Sequence, residues 1–114
     1  MRYGKKPESA TERNMPDYRL AEAAKEDLIV IAQYGDEHFG VVQSDRYRDQ
    51  LKQRFSVLAD RPQLYPAVDH IRAGYRRSVC GVHSIYYRIE GEGVEIVRVL
   101  GRQETRKLFE KAEQ

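Results

Sequence analysis

Two stretches of helical periodicity meet at a single glycine, and that junction constrains the chain more than any other feature. Over 21–39, Ala24, Leu28, Ile31 and Gly35 recur at steps of four, three and four, with Ala32 beside them. Over 42–60, Tyr47, Leu51, Phe55 and Leu58 form one stripe, while Asp45, Asp49, Lys52, Gln53 and Ser56 populate the other side. Gly40 stops the first stretch, and Pro62 disfavours helix at Arg61 and ends the second. A connection this short predicts an antiparallel helical hairpin. The small residues Ala24, Ala32 and Gly35 predict close approach of the two helices. Glu22, Glu26 and Asp27 favour the first helix start through the macrodipole. Both apolar stripes need a third surface.

The remainder of the chain supplies one. Tyr18–Leu20 alternates briefly, as an edge strand does. After an irregular linker over 62–68, residues 71–79 have extended character. Residues 82–89 alternate, with Ile85, Tyr87 and Ile89 on one side and Ser84, Tyr86 and Arg88 on the other. Cys80-Gly81 and Glu90-Gly91-Glu92-Gly93 are turn signals. Residues 94–100 are apolar except Glu95 and Arg98, as in a central strand. The reading is an α+β fold: an N-terminal short strand, then an antiparallel two-helix hairpin packed on a small antiparallel sheet.

Length agrees with one domain, since the chain has 114 residues. Residues 1–16 have no apolar periodicity and are expected to be a disordered extension. The folded unit is expected over 17–102. The segment 103–114 is charged, with Leu108, Phe109 and Ala112 as its apolar positions. It suits a short amphipathic helix, and a helix of that length is marginal in water without a docking surface.

The net charge of +2 conceals an uneven distribution. Residues 17–60 carry six bases and nine acids, whereas 61–114 carry ten bases and seven acids. Between Arg72 and Arg88 lie four arginines and no acid. One cysteine, Cys80, excludes an intramolecular disulfide framework and a cysteine-rich zinc site. The longest apolar run, Leu28–Ala32, is far short of a membrane span. A cytoplasmic protein with no membrane partner is the expectation.

No motif for a cofactor or a metal appears, and none is expected. His38, His70 and His83 are scattered, with no metal-ligand spacing. Gly91 and Gly93 lie between two strands and so do not form a dinucleotide motif. Cys80 has no nucleophile context. The informative feature is the arginine and tyrosine content of the sheet half: Arg72, Tyr75, Arg76, Arg77, His83, Tyr86, Tyr87, Arg88, Arg98 and Arg102. Arginine forks bind anions bidentately, so one reading is a face that meets an anionic partner. The other is solvated strand residues whose stems cover apolar surface. Tyr87 shares a side with Ile85 and reads as core, while Tyr86 and Arg88 read as surface. Arg98, in an apolar strand, is either paired or faces an open groove, because a buried unpaired arginine is costly.

Several words of this sequence resemble the ParE toxins of the RelE/ParE superfamily, the toxin half of type II toxin–antitoxin (plasmid stabilisation) modules. They are Tyr18-Arg19-Leu20 followed by Ala23-Ala24 and Asp27-Leu28, then Ile71-Arg72-Ala73-Gly74-Tyr75-Arg76, then Gly81 with His83, then Tyr87-Arg88. Val94-Glu95-Ile96-Val97-Arg98-Val99-Leu100 follows, closed by Gly101-Arg102-Gln103. The resemblance covers about 17–104 and implies the helical hairpin on a small sheet. It implies inhibition of DNA gyrase as the activity and a ParD-like antitoxin as the neutralising partner. It also implies a possible higher toxin–antitoxin oligomer and no specific DNA binding by the toxin alone.

Relatives of the RelE type instead cut mRNA on the ribosome, and here Arg76, His83 and Arg98 would serve that alternative. Two departures disfavour it. Leu100 runs directly into Gly101 where many relatives carry a histidine, and no lysine occurs between Arg61 and Arg106. A third departure, Ala21 in place of the usual Ser or Thr helix cap, bears on stability alone. A nontoxic interaction homologue is the third reading. On the inhibitor reading the protein is not an enzyme, and Arg72, Tyr75, Arg76, Tyr86, Arg88, Arg98 and Arg102 form the partner-binding face.

Overall fold

The computed structural model describes residues 17–101. The expectations for 1–16 and 103–114, and the position of Arg102, lie outside the described residues. The elements are β1 (Tyr18–Leu20), α1 (Glu22–Phe39), α2 (Val41–Asp60), β2 (Arg76–Cys80), β3 (His83–Glu90) and β4 (Gly93–Gly101). The sheet order is β1-β4-β3-β2. The meander β2-β3-β4 is antiparallel, and β1 pairs parallel to β4, with Tyr18 opposite Val94 and Leu20 opposite Ile96. The sheet is therefore mixed, because β1 and β4 point the same way at one edge.

Gly40 alone links the helices, at φ +87°. The hairpin closes tightly because Gly35 has no side chain. A Cβ there would stand 2.6 Å from Ser44 Oγ, and Ser44 donates across to the Ala32 carbonyl at 3.4 Å. Ala21 caps α1 with backbone only. The apolar stripes meet the sheet as their spacing predicts. Ala24, Leu51, Phe55, Leu58 and Ala59 are buried with Cys80, Ile85, Tyr87, Val94, Ile96 and Val99, and Leu28, Ile31 and Tyr47 pack against them. A large apolar side chain fully buried this way contributes about 1.5–3 kcal/mol.

Two features depart from the sequence reading. Residues 71–75 are not extended. Asp69 accepts the Gly74 N–H at 2.8 Å, Gly74 sits at φ +83°, and Tyr75 N–H bonds back to the Arg72 carbonyl at 3.1 Å. The Ala-Gly pair thus turns the chain, and β2 begins only at Arg76. The loop then returns over the sheet face opposite the helices. Val68 and Leu100 bury Tyr86 completely, with Ile71 and Tyr75 packed around them. Tyr86 is therefore core and not the surface residue expected. The alternation did place Tyr86 on the face away from Tyr87, but that face has a cover of its own.

The same loop protects an edge. Ala67 bridges to Arg76, Arg77 N–H donates to the Pro66 carbonyl, and Arg54 Nη1 donates to the Val79 carbonyl at 2.8 Å. The outer side of β2 is thereby occupied, which blunts its tendency to recruit another strand.

Candidate functional site

The predicted arginines and tyrosines do not converge on one face. A β-bulge decides where Arg98 goes. Tyr86 lies opposite Arg98 and Tyr87 opposite Ile96, so Val97 has no partner in the ladder. The extra residue breaks the alternation of β4 and sets Arg98 opposite Tyr86, out of step with Val94 and Ile96; beyond Ile96 β1 no longer covers the β4 edge, and Arg98 reaches α1 there. There Asp27 of α1 takes it in a two-pronged pair, Nε to Oδ2 and Nη2 to Oδ1, both at 2.8 Å. Asp27 Oδ2 also accepts the Val99 N–H at 2.9 Å. Both side chains are 12 % exposed. Arg98 is thus the paired arginine of the two alternatives, and it staples α1 to β4.

Arg76 faces the helix side. Its Nη1 donates to the Tyr65 carbonyl at 2.6 Å, and it lies opposite Tyr87. Tyr87, whose hydroxyl donates to the Pro62 carbonyl at 2.8 Å, has its phenol pushed up by burial, which outweighs the opposing field of Arg76. Arg54 joins this end. It donates to Ser78 Oγ at 2.7 Å and stands 5.4 Å from the centre of the Tyr65 ring. These contacts tie the linker after α2 to β2.

His83 is held at the other end of β3. Tyr47 Oη lies 2.7 Å from His83 Nδ1, accepts the Val82 N–H at 3.2 Å and stands 3.2 Å from the Cys80 carbonyl oxygen. Burial pushes the Tyr47 phenol up. Gly81 makes this latch possible: it takes φ +62° in the turn, and a Cβ there would meet the Tyr47 ring at 2.6 Å. His83 and Arg76 are separated along the sheet, since Arg76 pairs beside Tyr87, four residues or about 13 Å further along β3.

On the face away from the helices, Arg88 enters a ladder of charges. It donates to Glu95 at 2.7 Å, and Arg19 of β1 reaches both Glu95 and Glu90, at 3.1 Å and 2.8 Å. The hydrogen bond Arg88 donates to Glu95, with the Glu95 charge, raises the Arg88 pKa, and the bond Arg19 donates to Glu90 is the largest cause raising that of Arg19. Arg88 is exposed but already matched with carboxylates.

Arg72 and Tyr75 remain, on the loop over Tyr86. Both are half-buried, and Tyr75 packs on Tyr86. Arg77 completes this group. It stands opposite Tyr86 in the β2–β3 register, so its side chain belongs to the same face. Among the described residues neither Arg72 nor Arg77 makes a side-chain ion pair with a carboxylate. The structure therefore brings Arg72, Tyr75, Tyr86 and Arg88 to one face, sends Arg76 to the other, and turns Arg98 to α1 at the β4 edge. Arg77 belongs with the first group. It stands in the Arg72–Arg88 arginine run, and its register with the bulky Tyr86 is the signal that assigns it. No three His, Cys, Asp or Glu side chains among the described residues are arranged to hold a metal ion. No described helix is long and apolar enough to cross a membrane.

Comparison with known proteins agrees with this architecture. A solved structure from a chromosomal ParDE toxin–antitoxin system of P. aeruginosa superposes with a TM-score of 0.58 over 76 % of this chain and 96 % of that one. At 19 % identity it speaks to the fold alone. Toxin ParE1 of Caulobacter vibrioides is 40 % identical over 86 residues, covering 75 % of this chain and 88 % of its own. Toxin ParE1 of Mycobacterium tuberculosis is 37 % identical over 84 residues, covering 73 % and 86 %. The family model for the ParE toxin of the type II toxin–antitoxin system, parDE, matches residues 18–106. A chain matched by that model over all but its ends belongs to the ParE family of type II toxins.

Proposed function

We propose that this toxin arrests growth in the cytoplasm by binding DNA gyrase and that a ParD-like antitoxin silences it. The observation that carries the choice of an inhibitor over a ribonuclease is the occupation of the candidate catalytic set. Arg98 is committed to Asp27, Arg76 to the Tyr65 carbonyl, and His83 stands against Tyr47 at the far end of β3. A phosphodiester cleavage site needs an acid or base and cationic stabilisers within hydrogen-bond reach of one phosphate. These three side chains are instead spread along the sheet.

The inhibitor reading needs only a surface. Arg72 and Arg77, both half-buried on the face that carries Tyr75, supply cations without a carboxylate partner among the described residues. An acidic segment of the antitoxin laid on the sheet face away from the helices reaches these arginines, where charge complementarity mainly raises on-rate and specificity. Toxin and antitoxin then assemble as a dimer of dimers or larger.

The test is a supercoiling assay with purified gyrase. Toxin alone is expected to inhibit supercoiling and accumulate cleaved DNA, and added antitoxin to restore it. Supercoiling unaffected at high molar excess, together with in-frame cuts of mRNA in a translation extract, would overturn the inhibitor reading in favour of the ribonuclease.

A further inference from the structure

The two edges of the sheet differ. The outer side of β2 is occupied by the linker and by Arg54, whereas that of β1 is open. The Val94 N–H bonds to the Asp17 carbonyl at 3.1 Å, and the Ala21 N–H to the Ile96 carbonyl at 3.0 Å. In a parallel ladder with Tyr18 opposite Val94 and Leu20 opposite Ile96, those bonds direct both main-chain groups of Arg19 to β4. Tyr18 and Leu20 therefore turn their N–H and C=O outward, and among the described residues no group bonds to them there. Such an edge is a template for another strand.

The flank of α1 continues this edge. Asp27 accepts the Val99 N–H on the side of β4 that β1 covers lower down. The stripe Ala23, Asp27, Val30 and Tyr34 therefore stands over that side, turned away from Ala32 and Gly35, which meet α2 at Ser44. Val30 and Tyr34 are 62 % and 55 % exposed. Val30 lies about 14 Å along α1 from Ala21, a distance that about four residues of strand cover. An extended segment paired with β1 thus runs on past Leu20 to these two side chains.

Carboxylates without a partner surround the edge. Asp17 lies against Gly93, so Glu92 stands at the same end, and Glu26 lies beside Ala23 and Val30 on the surface of α1. All three acids are exposed and make no ion pair among the described residues. Arg19, in contrast, is already matched by Glu90 and Glu95.

We infer that β1 receives an extended, basic segment of the toxin's target as a fifth strand beside the four of the sheet; the identity of the target rests on the proposed inhibition of gyrase. Main-chain pairing with Tyr18 and Leu20 supplies affinity, and side chains supply specificity. Lys or Arg on the segment meets Asp17, Glu26 and Glu92, and an apolar residue meets Val30 and Tyr34. Charge sets two other occupants aside. An acidic antitoxin segment, suited to Arg72 and Arg77, is repelled by the unpaired carboxylates. A second copy paired about a two-fold axis at Arg19 would set the two Arg19 side chains directly opposite each other, and like charges so placed are destabilising.

Amide hydrogen exchange of the free full-length toxin comes first. The Leu20 amide is expected to exchange fast and the Arg19 amide slowly; a slow Leu20 amide means that the edge is already covered and overturns the inference. Two variants then enter the supercoiling assay with purified gyrase. Leu20→Pro deletes an outward N–H and keeps both Arg19 bonds to β4, the orientation in which an edge tolerates proline. Glu26→Lys with Glu92→Lys reverses charge at exposed positions only, so it decides the question if the proline variant does not fold. Each is expected to weaken inhibition about tenfold and to keep its far-ultraviolet spectrum and its affinity for the antitoxin. The loss from charge reversal is expected to shrink in high salt. A parent toxin that leaves supercoiling untouched removes the gyrase reading and the inference with it. A parent that inhibits, with variants equally potent, overturns the inference alone. Weaker antitoxin binding by the variants assigns the edge to the antitoxin, and a toxin dimer dissolved by Leu20→Pro assigns it to a second copy; either overturns it.

Discussion

Replacing Asp27 by alanine tests the contact that fixes the helical layer to the sheet. The carboxylate accepts three hydrogen bonds, two from Arg98 and one from the Val99 N–H, at 2.8–2.9 Å, and both side chains are only 12 % exposed. Removing one partner of a buried pair costs about 3–5 kcal/mol, largely through the charge left behind. The residual exposure argues for the lower end, about 3 kcal/mol. In a domain of this size that lowers Tm by about 12–24 °C. Asp27→Asn keeps an acceptor for the Val99 N–H and is expected to cost less, about 1.5–3 kcal/mol for the lost charge-assisted bonds. Arg98→Met on the Asp27→Ala background is expected to recover part of the loss, because it withdraws the stranded guanidinium. Only the Val99 N–H then lacks its acceptor. Urea unfolding followed by far-ultraviolet circular dichroism measures all four chains of the cycle. Glu22→Ala, which removes an exposed pair with Lys25, serves as a control expected to cost under about 1 kcal/mol. The reasoning fails if Asp27→Ala costs no more than Glu22→Ala, or if the two substitutions at 27 and 98 are additive.

Gly35→Ala puts a methyl 2.6 Å from Ser44 Oγ and 3.1 Å from Ser44 Cβ. It is expected to destabilise by about 1–3 kcal/mol, and Ser44→Ala in the same chain to restore only part, since the Cβ contact persists; thermal melts of the two variants decide it. Tyr87→Phe loses the bond to the Pro62 carbonyl, at a cost of about 1 kcal/mol at neutral pH. The Tyr87 pKa is raised in the fold, so the neutral phenol contributes stability that is complete below the unfolded value near about 10 and is lost as pH rises through the folded value. The variant should therefore show a shallower alkaline fall in urea midpoint than the parent. Arg77→Glu, with Arg72→Glu as its companion, is expected to leave the melting temperature within a few degrees and to slow antitoxin association by about tenfold or more, with the difference shrinking in high salt; surface plasmon resonance with equal on-rates would remove these arginines from the interface.

The hairpin, the meander and the helix-facing core were legible because periodicity reports burial on one face of an element. Gly35 and Ala24 were legible as contact points because small residues on an apolar stripe have few other uses. The far face of the sheet was not, since its cover is a loop. Nothing in the spacing of Val68, Ile71 and Tyr75 says that a turn at Ala73-Gly74 will fold them over Tyr86. The bulge was equally hidden. One unpaired residue, Val97, puts Arg98 out of step with Val94 and Ile96 and in register with Tyr86, and a strict two-residue alternation has no term for it. The candidate arginines are divided among different surroundings for a related reason. Residue type identified the arginines, but their partners lay in α1 and in the linker, far along the chain.

Those partners also change what the charge distribution means. Counting residues divides the chain into an acidic helical half and a basic sheet half, which suggests two opposed surfaces. The contacts show that much of this opposition is spent inside the fold. Asp27 of the acidic half closes on Arg98 of the basic half, Arg48 is held by Asp36 and Asp45 within the hairpin, and Arg19 and Arg88 share Glu90 and Glu95 across the sheet. An arginine already matched by a carboxylate offers a partner little, because a new anion must displace the old one and gains only the difference. A cation without a carboxylate offers its full field. On the proposed function, the arginines expected to meet the partner are therefore Arg72 and Arg77, two residues of the basic half without a carboxylate partner on the face away from the helices. A net charge near zero thus hides two kinds of arginine: those already matched by a carboxylate within the fold, as Arg98 is by Asp27, and those, Arg72 and Arg77 among them, that are not.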